Sequence, residues 1–138
     1  MSISLKLLET GEVINLPPEL FWQDEFSWCT IKSDQQRGLT GSLIVESSKA
    51  KGGRPVTLGA EDDMNWATRT TVERLMNWAN NYLSKIEVTM VYPYVPDRVF
   101  QAIFDRKETP VEATPVLKYE SPQPTDWFHL TIKLLEVI

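Results

Sequence analysis

The chain is poor in the residues from which most catalytic and metal centres are made. Its 138 residues include one histidine, His129, and one cysteine, Cys29. A lone thiol excludes an internal disulfide and a thiolate metal cluster, and it fits manufacture in a reducing compartment. A lone imidazole excludes a metal site built from several histidines. Cations are short as well: 14 Lys and Arg stand against 19 Asp and Glu, for a formal net charge of −5. Docking on a phosphate backbone needs clustered Lys and Arg, so sequence-specific nucleic-acid binding is not expected. No run of about 18 apolar residues is present, so no membrane helix is expected. The first residues also lack the basic stretch and long apolar run of a signal peptide.

What is present suits one globular domain spanning residues 1–138. The hydrophobic share is 42% and the charged share 24%, the proportions of an ordinary folded protein. Strand signals dominate. Residues 3–8 alternate apolar and polar, Thr10-Gly11-Glu12 reads as a turn, and residues 13–16 complete a hairpin that Pro17-Pro18 stops. Further strands are expected at 28–31, 40–46, 54–58, 86–91, 98–104 and 112–119, with a polar turn at 33–38 and loops at 47–53 and 61–63. Residues 127–137 carry Phe128, Leu130, Ile132 and Leu134 on alternate positions and read as a central strand.

One helix stands out. Val72, Leu75, Met76, Ala79, Tyr82 and Leu83 recur at helical spacing, which places it at about 66–82. Asn65 or Thr68 would cap its start, and Thr70 with Glu73 has capping-box spacing. The fold class expected is therefore mainly β: an antiparallel sandwich or barrel with one helix packed against it.

The candidate chemistry is thin. In the last strand His129 alternates against Phe128 and Leu130, which turns it away from the core. Cys29 and His129 make a conceptual nucleophile–base dyad, but no orienting third group accompanies them and cysteine is a residue type that favours burial. Acids cluster at Asp24-Glu25, at Glu61-Asp62-Asp63 and at Asp105 with Glu108, without the glycine-centred spacing of a calcium loop. Lys51-Gly52-Gly53-Arg54 lacks the Gly-Lys-Ser/Thr ending of a phosphate loop and runs into a strand. A contact loop to a neighbouring subunit, complemented by the acids at 61–63, is the better functional reading. Of the five tryptophans, Trp127 is expected in the core, while Trp78, on the flank of the helix stripe, is able to reach outward. No catalytic residue, metal ligand or cofactor is assigned, and the chain is not expected to be an enzyme.

Three blocks of sequence carry a resemblance. One runs from Leu16-Pro17-Pro18-Glu19-Leu20-Phe21-Trp22 through Trp28. Another joins Thr40-Gly41-Ser42-Leu43-Ile44-Val45-Glu46, by way of Gly53-Arg54-Pro55-Val56-Thr57-Leu58, to the helix between Trp66 and Trp78. The last runs from Val99-Phe100 through Asp105-Arg106-Lys107 and Pro110-Val111-Glu112 to Asp126-Trp127-Phe128. Together they resemble the small tail-tip and baseplate proteins, of the distal-tail kind, of long-tailed bacteriophages and prophages. The resemblance implies a β-sandwich flanked by a helix that joins copies of itself into a ring, typically a hexamer, alongside other tail proteins. It implies a place in the virion tail after synthesis in the bacterial cytoplasm, and no membrane partner. Many distal tail proteins carry a second carbohydrate-module-like domain for which this chain is too short. On this reading Trp22, Trp28, Lys49, Lys51, Arg54 and Trp78 are the expected interface residues. A small-ligand or carbohydrate-binding β-domain is the alternative.

Overall fold

The last strand organises the molecule. The structure, a computed structural model, describes residues 2–50, 52–60, 65–81, 84–118 and 120–137. Among the described residues eleven strands and one helix follow in the order β1 Ser2–Leu7, β2 Val13–Asn15, β3 Phe21–Trp22, β4 Ile31–Arg37, β5 Leu43–Lys49, β6 Pro55–Gly59, β7 Ala67–Thr68, α1 Arg69–Ala79, β8 Ile86–Val91, β9 Arg98–Phe104, β10 Val111–Pro115 and β11 Trp127–Val137. On one side of β11 lie β6 and β7; on the other lie β9 and β10. Each pair behaves as one strand with an excursion in its middle. The main sheet runs β2-β1-β8-β9-β11-β6-β3, antiparallel throughout. It ends at β2 and β3 without closing, so of the two expected β architectures the barrel is not formed.

Alternation builds the core as strand physics requires. Ile3, Leu5 and Leu7 of β1 face Met90, Val88 and Ile86 of β8 in register. Ile132 lies between Val111 and Leu58, and Leu134 between Phe104 and Val56. All of these side chains are buried in one cluster, which Leu75, Trp78 and Ala79 of α1 complete. Burial of each Val, Leu, Ile, Met or Phe side chain among them stabilises the fold by roughly 1.5–3 kcal/mol.

The helix is shorter than its apolar stripe predicts. It starts late because Ala67 and Thr68 are held as strand against Phe128 and Trp127. Thr68 caps it, its side chain accepting the N–H of Thr71; the Thr70–Glu73 box is not used, and Glu73 pairs with Arg69 at 3.0 Å instead. Its final carbonyls are met by a cation: Arg106 donates to Ala79 O at 2.9 Å and to Asn81 O at 2.8 Å, the favourable charge for that end. Tyr82 and Leu83 lie outside the described residues. The side of the helix facing β2 is fixed by Glu12, whose carboxylate accepts from Arg74 Nε at 2.7 Å and from the Trp78 indole N–H at 3.0 Å. The Trp78 bond and then the Arg74 bond hold the Glu12 carboxyl below its ordinary range.

Local expectations are overturned around the arm. The strand expected at 28–31 is not formed before Ile31. Residues 33–38, expected as a turn, are mostly strand β4. Ser47, Ser48 and Lys49, expected in a loop, end strand β5. These two strands form a separate two-stranded sheet, inserted in the chain between β3 and β6.

Candidate assembly surface

The β4–β5 hairpin is an arm. Its ladder sets Ile31 opposite Lys49 and Arg37 opposite Leu43, and every residue of both strands is exposed. Seven residues per strand give it a length of roughly 20 Å. Residues directly opposite share a face. One face therefore carries Ile31, Leu43 and Val45 among Ser33, Gln35, Ser47, Arg37 and Lys49. The other carries Lys32, Asp34, Gln36, Ile44, Glu46 and Ser48. Leu39 stands at the tip, wholly exposed, in a turn where Gly41 adopts φ +84, a conformation that suits glycine. A two-stranded hairpin with no buried face is marginal by itself.

The root of the arm is the opposite case. Trp22 is buried, its indole N–H donates to Pro55 O at 3.3 Å, and its ring lies 5.6 Å from that of Phe100. The guanidinium of Arg54 sits 4.5 Å from the Trp22 ring and that of Arg98 5.4 Å. Arg98 is in turn paired with Glu25 at 2.7 Å, and Arg54 donates to Glu25 O. Asp24 accepts from Thr57 N at 2.8 Å and from Thr57 Oγ1 at 2.9 Å. The returning strand is tied to β11 by Gly53 N to Glu136 O at 2.7 Å and Glu136 N to Arg54 O at 2.8 Å. Nearby, burial and then Glu25 push the Tyr92 phenol above its ordinary range, against the opposing effect of Arg98. Beside the root is a hollow of about 170 Å³ lined by Trp28, Thr30, Lys49, Ala50, Gly52, Arg54 and Glu136.

The expected interface residues therefore divide. Lys49 is exposed on the arm, and Trp28 is half-buried at its root with the Lys32 ammonium 4.7 Å from its ring. Trp22 and Arg54 meet at the root, where Trp22 is buried rather than offered to a neighbour. Trp78 does not reach outward: it is buried in the core because its indole N–H finds an acceptor in Glu12. Lys51 lies outside the described residues, as do the acids at 61–63. Two further expectations are reversed. Trp127 is 45% exposed, beside the 55%-exposed Trp66 with ring centroids 6.1 Å apart, because strand alternation that buries Leu130 turns Trp127 the other way. Cys29 is exposed, since the segment leading into the arm has left the core.

His129 is half-buried, and its Nδ1 lies 3.0 Å from Asn65 O. Asn65, buried, accepts the Leu130 N–H on its own side-chain oxygen. Cys29 stands at the arm's root, and no contact joins it to His129. Asp24 and Glu25 serve the arm's root, Asp105 accepts the N–H of Lys107, and Glu108 pairs with Lys133 at 2.9 Å. Among the described residues no group of three or more His, Cys, Asp or Glu is placed to hold a metal ion. What sequence reading missed was β4 itself. The signal available was the pair of glycines, Gly38 and Gly41, between two stretches of equal length. No family model, curated protein or solved structure matches this chain.

Proposed function

We propose that the chain is a structural subunit that assembles through protein–protein contacts made by its β4–β5 arm. The observation that carries this reading is the arm itself: two seven-residue strands, exposed on both faces and both outer edges, that bury no side chain in their own domain. Half-exposed Ile31, Leu43, Ile44 and Val45 and the exposed Leu39 are apolar surface that a partner would cover. Exposed strand edges pair readily with other chains unless blocked. The sequence resemblance supplies the particular assembly: a ring, hexameric in the family resembled, at the tail tip or baseplate of a long-tailed phage or prophage, in contact with other tail proteins and located in the virion.

The test is an excision. Thr30 O and Ala50 N are already hydrogen-bonded at 2.7 Å, so a short turn can replace residues 31–49 without opening the root. The intact chain is expected to form oligomers in sedimentation experiments, and the excised chain to be a folded monomer with unchanged far-ultraviolet dichroism from the body. Equal assembly of both chains would refute the role of the arm. Absence of the chain from purified tailed particles would refute the virion assignment.

A second reading, carbohydrate binding, is favoured by the exposed Trp66–Trp127 pair, since tryptophan faces stack on sugar rings. Titration of tryptophan fluorescence with glycans, with Trp66→Ala as control, tests it; no saturable change removes it.

A further inference from the structure

We infer that the β4 edge of one copy pairs antiparallel with the β4 edge of a second copy, Ser33 opposite Ser33, to make a continuous four-stranded sheet. The inference rests on the proposal that the arm is the contact, and it names the occupant and the register. Hydrogen-bond phase selects the atoms. At the two ends of the hairpin Gly38 N donates to Ser42 O and Ala50 N to Thr30 O. In an antiparallel ladder directly bonded pairs alternate with unbonded ones. Residues 32, 34 and 36 therefore spend their N–H and C=O groups on β5. Ile31, Ser33, Gln35 and Arg37 point theirs outward along the free edge. In keeping with this, the outward Gln35 N–H has no strand partner and is met instead by the neighbouring Asp34 carboxylate, at 3.0 Å.

Charge then selects the register. A two-fold axis through an antiparallel pair keeps each face on its own side, so it must pass through one residue and its own copy. Centred on Lys32 it sets two ammonium groups opposite each other. Centred on Asp34 it opposes two carboxylates. Centred on Ile31 or Gln35 it leaves both charges facing uncharged residues. Centred on Ser33 it sets Lys32 opposite Asp34 of the second copy and Asp34 opposite its Lys32, both at unbonded positions where side chains approach most closely. The isolated arm has a matching need. Asp34 lies directly across from Glu46, and none of Lys32, Asp34 and Glu46 has an ion-pair partner among the described residues. The second copy brings a cation to the side of Asp34 that Glu46 leaves open. The β5 edge offers nothing equivalent. Its acid, Glu46, and its cation, Lys49, lie on opposite faces, so no two-fold pairing sets them together. A head-to-tail contact of β4 on β5 can oppose Lys32 and Glu46, but it leaves Asp34 against Ile44. Edges on the body are shorter, and the backbone of β2 is already engaged where Arg74 donates to Val13 O at 3.0 Å. A two-fold contact closes at two copies, so it joins subunits in pairs, and other surfaces close a larger ring only once those pairs have formed.

Charge exchange tests the register. Lys32→Asp and Asp34→Lys, each at an exposed site outside the core, should leave the fold intact by circular dichroism. Each should weaken self-association by about tenfold or more, because two ion pairs become two like-charge contacts. The double variant, Lys32→Asp with Asp34→Lys, should restore association, since the pairs re-form with exchanged sign. A head-to-tail contact would not be restored, because the carboxylate introduced by Lys32→Asp would then face Glu46. In a Cys29→Ser background, Ser33→Cys should give a covalent dimer with a short bismaleimide, whereas Ser47→Cys on β5 should not. Single variants without effect, a double variant that stays weak, or Ser33→Cys that does not cross-link at associating concentrations would each overturn the register. If assembly still required the arm, only the register would fall. A chain that is monomeric at every concentration would remove both the register and the proposed function.

Discussion

Two leucines placed on consecutive long strands separate the body from the arm energetically. Leu58 of β6 is 0% exposed, between Trp22 of β3 and Ile132 of β11 in the sheet, while Leu43 of β5 is 51% exposed. Truncating Leu58 to alanine removes apolar atoms from a closed site and leaves a cavity, at a cost of about 2–5 kcal/mol. A domain of this size has a total stability of about 5–15 kcal/mol, so Leu58→Ala should shift the urea midpoint strongly. Leu43→Ala removes the same atoms from a strand that touches no core and should change stability by about 0.5 kcal/mol or less. The assay is urea unfolding followed by tryptophan fluorescence, first in dilute solution where the chain is monomeric. The denaturant slope should be the same for both variants, since neither changes the surface exposed on unfolding by much. At associating concentrations Leu43→Ala should acquire a penalty, because a partner that binds only the folded chain stabilises it by mass action. A dilute-solution loss for Leu43→Ala comparable with that for Leu58→Ala would refute the separation. The arm would then be packed on the body.

Thr68→Ala should cost about 1 kcal/mol through loss of the helix cap, read from the same urea curves. Glu12 has a folded-state pKa held below the usual 4.5, so its contribution is complete above that value and disappears as pH falls through the lowered one. Glu12→Gln should therefore flatten the acid limb of the stability–pH profile, and an unchanged limb would show that the Trp78 and Arg74 bonds are not maintained in solution. Asp24→Ala leaves the Thr57 N–H and hydroxyl without their acceptor and should cost about 1–3 kcal/mol, measured by thermal unfolding. Cys29 should react with a thiol reagent in the native protein as fast as in the unfolded one; protection by folding would contradict its exposed position.

The body of the fold was legible because its strands have one wet face and one dry one. Residues 86–91 were bounded correctly from alternation, residues 98–104 from their apolar content, and residues 127–137 were read as the central strand that β11 is. Periodicity failed where neither face is dry. Ser33-Asp34-Gln35-Gln36-Arg37 has no apolar alternation because β4 has no core to face, and a polar run without period reads as a turn. The helix was found by its stripe, but its start was misplaced by three residues because pairing of Ala67 and Thr68 with β11 is a tertiary effect. Trp78 and Trp127 exchanged roles for similarly non-local reasons. The flank position of Trp78 is buried by an acceptor that comes from Glu12, far along the chain, and the alternation of β11 places Trp127 on the outer face. Trp22, Trp28 and Arg54 were picked from the sequence as interface residues, and the arm whose root they form was not foreseen. Their meeting with Arg98 and Phe100 depends on the sheet order, which no local pattern encodes.

Rigidity and openness are divided between root and blade in a way that bears on specificity. At the root, two guanidinium groups on Trp22, the Glu25 pair with Arg98 and the Asp24 bonds to Thr57 fix the direction in which the arm leaves the body. A fixed direction lowers the ordering cost of any contact the arm makes. Along the blade the backbone edge is open, and an open edge invites indiscriminate pairing. The charges on that edge counter it. A strand that brings no cation to Asp34 leaves it facing Glu46 alone, and one that brings a cation to Lys32 adds a repulsion. Apolar contact from Ile31 then supplies attraction that does not discriminate, while Lys32 and Asp34 decide which strand is admitted, a division of labour in which unfavourable pairings do as much as favourable ones. The same two residues that keep a solitary arm from joining arbitrary strands are therefore the ones whose exchange should redirect its choice of partner.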